Sequence, residues 1–387
     1  MNRLPTAAIT ATFLATLVTG GLAVTPAGQG RPVHGTRQAA QPAPPPARGG
    51  HPALPRPRFG VTTDSITNLN AIMASSRHLP DKPTTRIYFD VSHGPRYYLR
   101  AATRLHRVSY LMGELLDSAD EAKITVSGYN RRVKAYLATL GRRIDIWEIG
   151  NEVNGDWTGP YPAVAAKLTE AYRAVSARGY ATALTLYYDI GCHDGCHELH
   201  PLAFSRRYVP RAVRDGLRYV LLSYYQDDCR KIRPTSATWT SFFRKLHALY
   251  PSALVGFGEI GLNDPVTRRT RPTAGSLIRY YYGLRIRLPY YIGGYFWWYY
   301  REDCLPYTTK PLWRVLATGF KNEAAAIRHT RPRWGRGGRA PAGAGPRSCV
   351  RWSGPASCVH QPQDERSEDQ LHGQFHLPAW DDDDVGP

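Results

Sequence analysis

Glu152 closes the stretch Ile144-Asp145-Ile146-Trp147-Glu148-Ile149-Gly150-Asn151-Glu152, and Glu259 closes a second one, Leu254-Val255-Gly256-Phe257-Gly258-Glu259. Both stretches read as short buried strands that carry a glutamate at the end. Two acids so placed suit cleavage of a glycosidic bond, where one protonates the departing oxygen and the other attacks the sugar. Carboxyls about 5–5.5 Å apart let the second form a glycosyl-enzyme, which water then opens with the first acting as base. An ionised Glu259 would help keep the proton on Glu152. Glu148 shares parity with Glu152 and also points inward, but four residues deeper, roughly 13 Å. It is expected to be a core acid paired with an arginine or a tyrosine.

Holding two such acids together requires a scaffold, and the chain supplies an alternation of strand-like and helix-like runs. Strands are expected at Phe59–Thr62, Arg86–Asp90, within Val108–Leu116, at the two stretches above, and at Ala183–Tyr187, Tyr219–Tyr224 and Tyr291–Trp298. Between them lie runs with apolar residues at helical spacing, such as Val164, Leu168, Tyr172 and Val175, or Trp239, Phe242, Phe243, Leu246 and Leu249. The first helix is expected to open at Asp64 or Ser65, both good N-caps. Pro210 interrupts the fifth helix or marks the first turn of a short one. Alternation implies parallel strands. Eight strand–helix pairs within residues 57–330 match the roughly 250 residues usual for a (β/α)8 TIM barrel. A doubly wound open sheet is the competing fold, but no glycine-rich phosphate loop follows the first strand.

In a TIM barrel the active site lies at the C-terminal ends of the strands, where Glu152 on the fourth and Glu259 on the seventh would both fall. With Asn151-Glu152 ending strand four and Gly258-Glu259 ending strand seven, the barrel resembles the clan A retaining glycoside hydrolases. The resemblance spans residues 57–330 and assigns no individual family. It implies Glu152 as acid/base, Glu259 as nucleophile, and Asn151 as a partner for the sugar 2-hydroxyl. It also implies a tyrosine at the end of strand six bonded to the nucleophile; Tyr225 fits best and Tyr224 second. Ser223 stands where many members carry a histidine. Trp297-Trp298 ends strand eight, where the clan commonly has an aromatic floor beneath the sugar. Strand alternation sends one indole inward and the other toward a helix, without saying which. Trp157, just after Glu152, would add a further subsite.

Cys192-His193-Asp194-Gly195-Cys196-His197-Glu198-Leu199-His200 has the ligand types zinc prefers, but its spacing fits no standard zinc pattern. Export would instead favour disulfides. Cys192, Cys196, Cys229 and Cys304 all fall on loops at the active-site face, with three pairings open, so bridges pinning the rim are expected. No metal and no cofactor are called for.

The chain has 387 residues, 42% hydrophobic and 21% charged, enough for a sizeable core. Its 25 tyrosines and 9 tryptophans fill cores and also offer stacking surfaces for sugars. The formal charge of +19 is spread over the body: the first 56 residues hold five arginines, and residues 331–387 balance seven arginines against eight acids. Such a spread, with no reading motif, argues against a nucleic-acid partner but allows loose association with an anionic cell envelope.

Residues 1–27 read as an export signal cut between Ala23 and Gly30, with an uncleaved membrane anchor as the alternative. Residues 28–56 read as a Pro/Arg/Gly-rich linker and residues 331–387 as a low-complexity tail. The expectation is a secreted, monomeric retaining glycoside hydrolase acting on a β-linked poly- or oligosaccharide. The alternative is a carbohydrate-binding or cell-wall-associated barrel without turnover.

Overall fold

The computed structural model describes residues 58–189 and 198–330. The expected signal, linker and tail, and Cys192, Cys196, Cys349 and Cys358, lie outside them. Eight strands form a closed barrel in chain order: β1 (Phe59–Thr63), β2 (Thr84–Tyr88), β3 (Tyr110–Glu114), β4 (Ile146–Glu148), β5 (Ala181–Tyr187), β6 (Tyr219–Tyr224), β7 (Leu254–Ile260) and β8 (Gly294–Trp297). Each runs parallel to its neighbours, and β8 closes on β1. The fold is a TIM barrel, as the alternation of elements implies.

The outer layer contains α1 (Leu69–His78), α2 (Pro95–Leu105), α3 (Ser118–Glu121), α4 (Val126–Thr139), α5 (Tyr161–Ser176), α6 (Pro201–Tyr208), α7 (Arg211–Gly216), α8 (Ser236–Leu249), α9 (Arg271–Gly283), α10 (Tyr300–Cys304) and α11 (Pro311–Thr330). Side-chain caps set several starts: Thr125 accepts from the Gly128 amide at 3.1 Å, and Thr235 from the Thr238 amide at 3.1 Å. The first helix departs from expectation. It opens at Leu69, after Asn68 in a left-handed turn (φ 59°), so neither Asp64 nor Ser65 caps it. Pro210 does divide the fifth helical segment, ending between α6 and α7 as the residue that precedes α7.

Two apolar layers result. Outward-facing strand residues such as Val61, Ile87, Trp147, Val220, Phe257 and Trp297 pack with the helices in the main core. Inside the barrel, Met112, Ile146, Ala183, Tyr219, Leu221, Ile292 and Phe296 form a separate plug. Two residues further along β3, β4, β5 and β6, the inward positions become Glu114, Glu148, Thr185 and Ser223, all fully buried. The site rests on that plug.

Strand β4 is shorter than expected. It ends at Glu148, so Asn151 and Glu152 belong to the turn beyond it rather than to its last two positions. Asn154 ties this turn to β5: its amide donates to the carbonyls of Tyr187 (2.8 Å) and Leu199 (2.9 Å), and its oxygen accepts from the Tyr187 amide at 2.8 Å.

Candidate active site

The two acids singled out from the sequence both reach the barrel mouth, by different routes. Glu152 lies in the turn after β4 with φ at +48°, a left-handed conformation that costs a glutamate on the order of 1 kcal/mol. Glu259 is turned inward by a bulge. The pairing of β6 with β7 steps from Leu222–Phe257 to Ser223–Glu259, so Gly258 is an extra residue on β7. Val255 and Phe257 face the helices, and strict alternation would send Glu259 there too; the extra residue reverses its direction. Only glycine fits the bulge, because a Cβ at 258 would lie 2.7 Å from both Leu221 Cβ and Thr185 Oγ1.

The end of β6 and the residue just past it then grip both carboxyls. Ser223 Oγ donates to Glu152 Oε1, and two residues on, Tyr225 donates through its phenol to Glu259 Oε1 at 2.8 Å. Ser118, at the start of α3, donates to the other oxygen of Glu152 at 2.9 Å. Glu152 is 8% exposed and Glu259 5%. Tyr224, the second choice from sequence, faces away and donates to the Ile232 carbonyl at 2.7 Å.

The surroundings of the two acids differ in charge. Glu152 is bonded only by hydroxyls. Burial lifts its pKa to about 7, with Asp117 adding to the rise and the Ser223 and Ser118 hydroxyls opposing it. For Glu152 loss of solvent comes first and Asp117 is the leading carboxylate, while the repulsion between the two mouth acids acts to raise Glu259. Glu259 Oε2 instead accepts from Arg86 Nη1 at 2.7 Å. Burial pushes Glu259 upward as well, with Arg86 as the main force against it.

Arg86, on β2, is the hub that sequence reading missed. Fully buried, it also donates from Nε to Glu148 Oε2 at 2.6 Å and from Nη2 to Glu148 Oε1 at 3.3 Å. Thr185 Oγ1 donates to Glu148 too. Glu148 is thus the paired core acid expected, with arginine as its partner. Glu114 Oε1 lies 3.2 Å from Arg86 Nη2, yet neither Glu114 oxygen receives a hydrogen bond. A charged residue inside an otherwise apolar strand was the available signal for Arg86, and Glu114 carried a similar one.

The aromatic residues separate. Trp298 faces the mouth, with the Arg86 guanidinium 5.3 Å from its ring centre and Tyr88 edge-on at 6.4 Å. Trp297 was expected among the substrate-binding residues; it is instead fully buried toward the helices, its Nε1 donating to Asp303 Oδ2 at 2.8 Å. The alternation that turns Trp298 inward turns Trp297 out. Trp157 is half-buried and packs edge-on to Tyr187 at 5.3 Å. Asn151 is buried beside Glu152, and its Oδ1 has no hydrogen-bond partner.

The disulfide expectation divides at the rim: Cys229 is disulfide-bonded, whereas Cys304 is a free thiol buried in α10. Of the zinc-like segment, His200 caps α6 by accepting from the Leu202 amide at 3.2 Å. Among the described residues no group of three His, Cys, Asp or Glu side chains is arranged to hold a metal, and no helix is long and apolar enough to cross a membrane.

No family model and no curated protein matches the chain. Solved structures of similar shape include a GH10 xylanase from Bispora sp. MEY-1 with xylobiose, at 13% identity and TM-score 0.46, covering 67% of this chain and 96% of that one. A family 1 β-glucosidase from Thermotoga maritima aligns at 12% identity and TM-score 0.42, covering 66% and 85%. A GH18 chitinase from Pseudoalteromonas aurantia aligns at 13% and 0.43, covering 68% and 99%.

Proposed function

We propose that this protein is a secreted retaining glycoside hydrolase that cleaves β-linked poly- or oligosaccharides. The observation that carries the reading is the grip at the end of β6: Ser223 on the strand and Tyr225 just past its last residue each donate to one of two buried carboxyls at the mouth.

The unlike environments set the roles. Glu259, bound to Arg86 and Tyr225, is the nucleophile: its carboxylate bonds to the anomeric carbon as the bond to the leaving oxygen breaks. Glu152, with a pKa near 7, gives its proton to that oxygen. Water then attacks the anomeric carbon, passes a proton to Glu152, and releases Glu259 as the carboxylate. Asn151, with its unpartnered Oδ1, would accept from a sugar hydroxyl, and Trp298 would floor the site with a face suited to C–H stacking. Trp157 would extend the cleft.

Glu259→Ala and Glu152→Ala, assayed over defined polysaccharides and aryl β-glycosides, test the reading. Each is expected to lower kcat/KM on the native glycan on the order of 10⁴-fold or more. Azide should rescue them with products of opposite anomeric configuration, followed by NMR. Full activity in both variants would overturn the assignment, and glycan binding without any wild-type hydrolysis would favour the non-catalytic barrel.

A further inference from the structure

The charge balance around Arg86 does not close with the groups used so far. One guanidinium faces three carboxyls, from Glu114, Glu148 and Glu259, in a space almost sealed from water. Ionising all three would leave two uncompensated negative charges, a costly state in a low-dielectric interior. Glu148 and Glu259 take the aligned donors of Arg86 and one hydroxyl each, from Thr185 and Tyr225. Glu114 takes none. Its carboxyl does lie within hydrogen-bonding reach of the Asp117 carboxyl, which accepts from the Ala119 amide at 2.8 Å. Two ionised carboxylates repel; once one of them carries a proton, the same contact becomes an O–H···O bond.

We propose that Glu114 and Asp117 form a carboxyl pair that keeps one proton at neutral pH, carried by Glu114, so that Arg86 stays committed to Glu148 and Glu259. Glu114 is then a positioning residue and does not touch substrate. The groups facing the pair are Arg86 and Tyr88 from β2, Glu148 and Glu152 from β4 and its turn, Tyr129 from α4, Asp120 from α3 and Glu259 from β7. Among these groups Arg86 is the only cation, and it already pairs with Glu148 and Glu259. Burial raises the affinity of both Glu114 and Asp117 for protons, as a shared proton requires. The pair also bridges the two halves of the site: Ser118, next to Asp117, holds Glu152, and Arg86, next to Glu114, holds Glu259. That coupling rests on the glycosidase reading; the proton pair itself does not.

Infrared difference spectroscopy at pH 7 tests the pair without turnover. Glu152, with its pKa near 7, gives a protonated-carboxyl C=O band in every variant; a further such band, from Glu114, should appear in the wild-type minus Glu114→Gln difference spectrum. Asp117→Asn removes the acceptor and should shift that band, which also serves if Glu114→Gln fails to fold. A wild type with no such band, or a band unchanged in either variant, overturns the proposal. In the pH profile of kcat/KM, Glu114→Gln replaces a neutral group by a neutral group, so both limbs should stay in place. Asp117→Asn removes a negative charge near Glu152 and Glu259, so both limbs should move down on the order of one pH unit. Equal downward shifts in both variants would mean that Glu114 is ionised. A band that behaves as expected with no turnover on any glycan would defeat the glycosidase reading alone.

Discussion

At the lower end of the barrel interior, Met112, Ile146, Ala183 and Leu221 meet in an apolar plug; two residues later on the same strands stand Glu114, Glu148, Thr185 and Ser223. Both levels are sealed from water and face the same axis. The difference is depth, about 6.6 Å along each strand. The lower level is held by packing and asks nothing of ionisation. The upper level is held by pairing, and its stability depends on where every proton sits. Inward parity therefore selects which residues can meet, while depth decides whether they make a core or a site.

The sharpest break in that comparison is Arg86→Met. Removing the guanidinium leaves Glu148 and Glu259 buried without their cation, which should cost about 3–5 kcal/mol at pH 7. Glu259, without its cation, then binds its proton more tightly folded than unfolded, so the deficit should shrink as pH falls through its raised pKa. Phe296→Ala in the plug should cost a similar amount, about 3–5 kcal/mol, at every pH. Denaturant titrations of both variants across pH separate the two levels. A pH-independent loss in Arg86→Met would erase the distinction.

The next effect has the opposite sign. Glu152 has its pKa raised to about 7 in the folded protein, against an ordinary 4.5. Below pH 4.5 both states hold the proton and the raised pKa costs nothing; above pH 7 the penalty is fully present. Glu152→Gln should thus be more stable than the wild type at pH 8, on the order of 3 kcal/mol, with the gain fading toward pH 4. Thermal melts over that range measure it. A variant no more stable at pH 8 than at pH 4 would mean that Glu152 is not held in a desolvated mouth.

Much of the frame could be read from residue order. The strand at Tyr219–Tyr224 falls where its apolar run put it, and the helices Tyr161–Ser176 and Ser236–Leu249 carry the stripes Val164–Val175 and Trp239–Leu249 on their buried faces. Both mouth acids were visible for the same reason: each ends an apolar run. What stayed hidden depends on register. That Glu259 turns inward follows from the bulge at Gly258, and alternation alone points it at the helices; two glycines flanking Phe257 were the only hint. Arg86 and Glu114 were hidden in runs read as ordinary strands, since a charge there gains meaning only when its partners on other strands are known. Cys304 carried the expectation for exported cysteines, but its burial in α10 leaves it no partner among the described residues.

The smallest effect concerns the two indoles of β8, which divide the mouth from the helix-packed core within one dipeptide. Trp298 lies over Arg86 and faces the opening, so Trp298→Ala should weaken glycan binding about tenfold, roughly 1.4 kcal/mol, while leaving the melting temperature nearly unchanged. Trp297→Phe keeps most of the buried ring but loses the indole bond to Asp303, which also accepts from the Val266 amide at 2.7 Å. It should cost about 1 kcal/mol of stability and leave glycan affinity alone. The register of β8 admits only this assignment, since Phe296 reaches the plug and alternation then sends Trp297 outward and Trp298 in. Isothermal titration and thermal melts on both variants decide it: a stability loss in Trp298→Ala with an affinity loss in Trp297→Phe would mean that β8 is read one residue out of step, and the Trp298 floor would go with it.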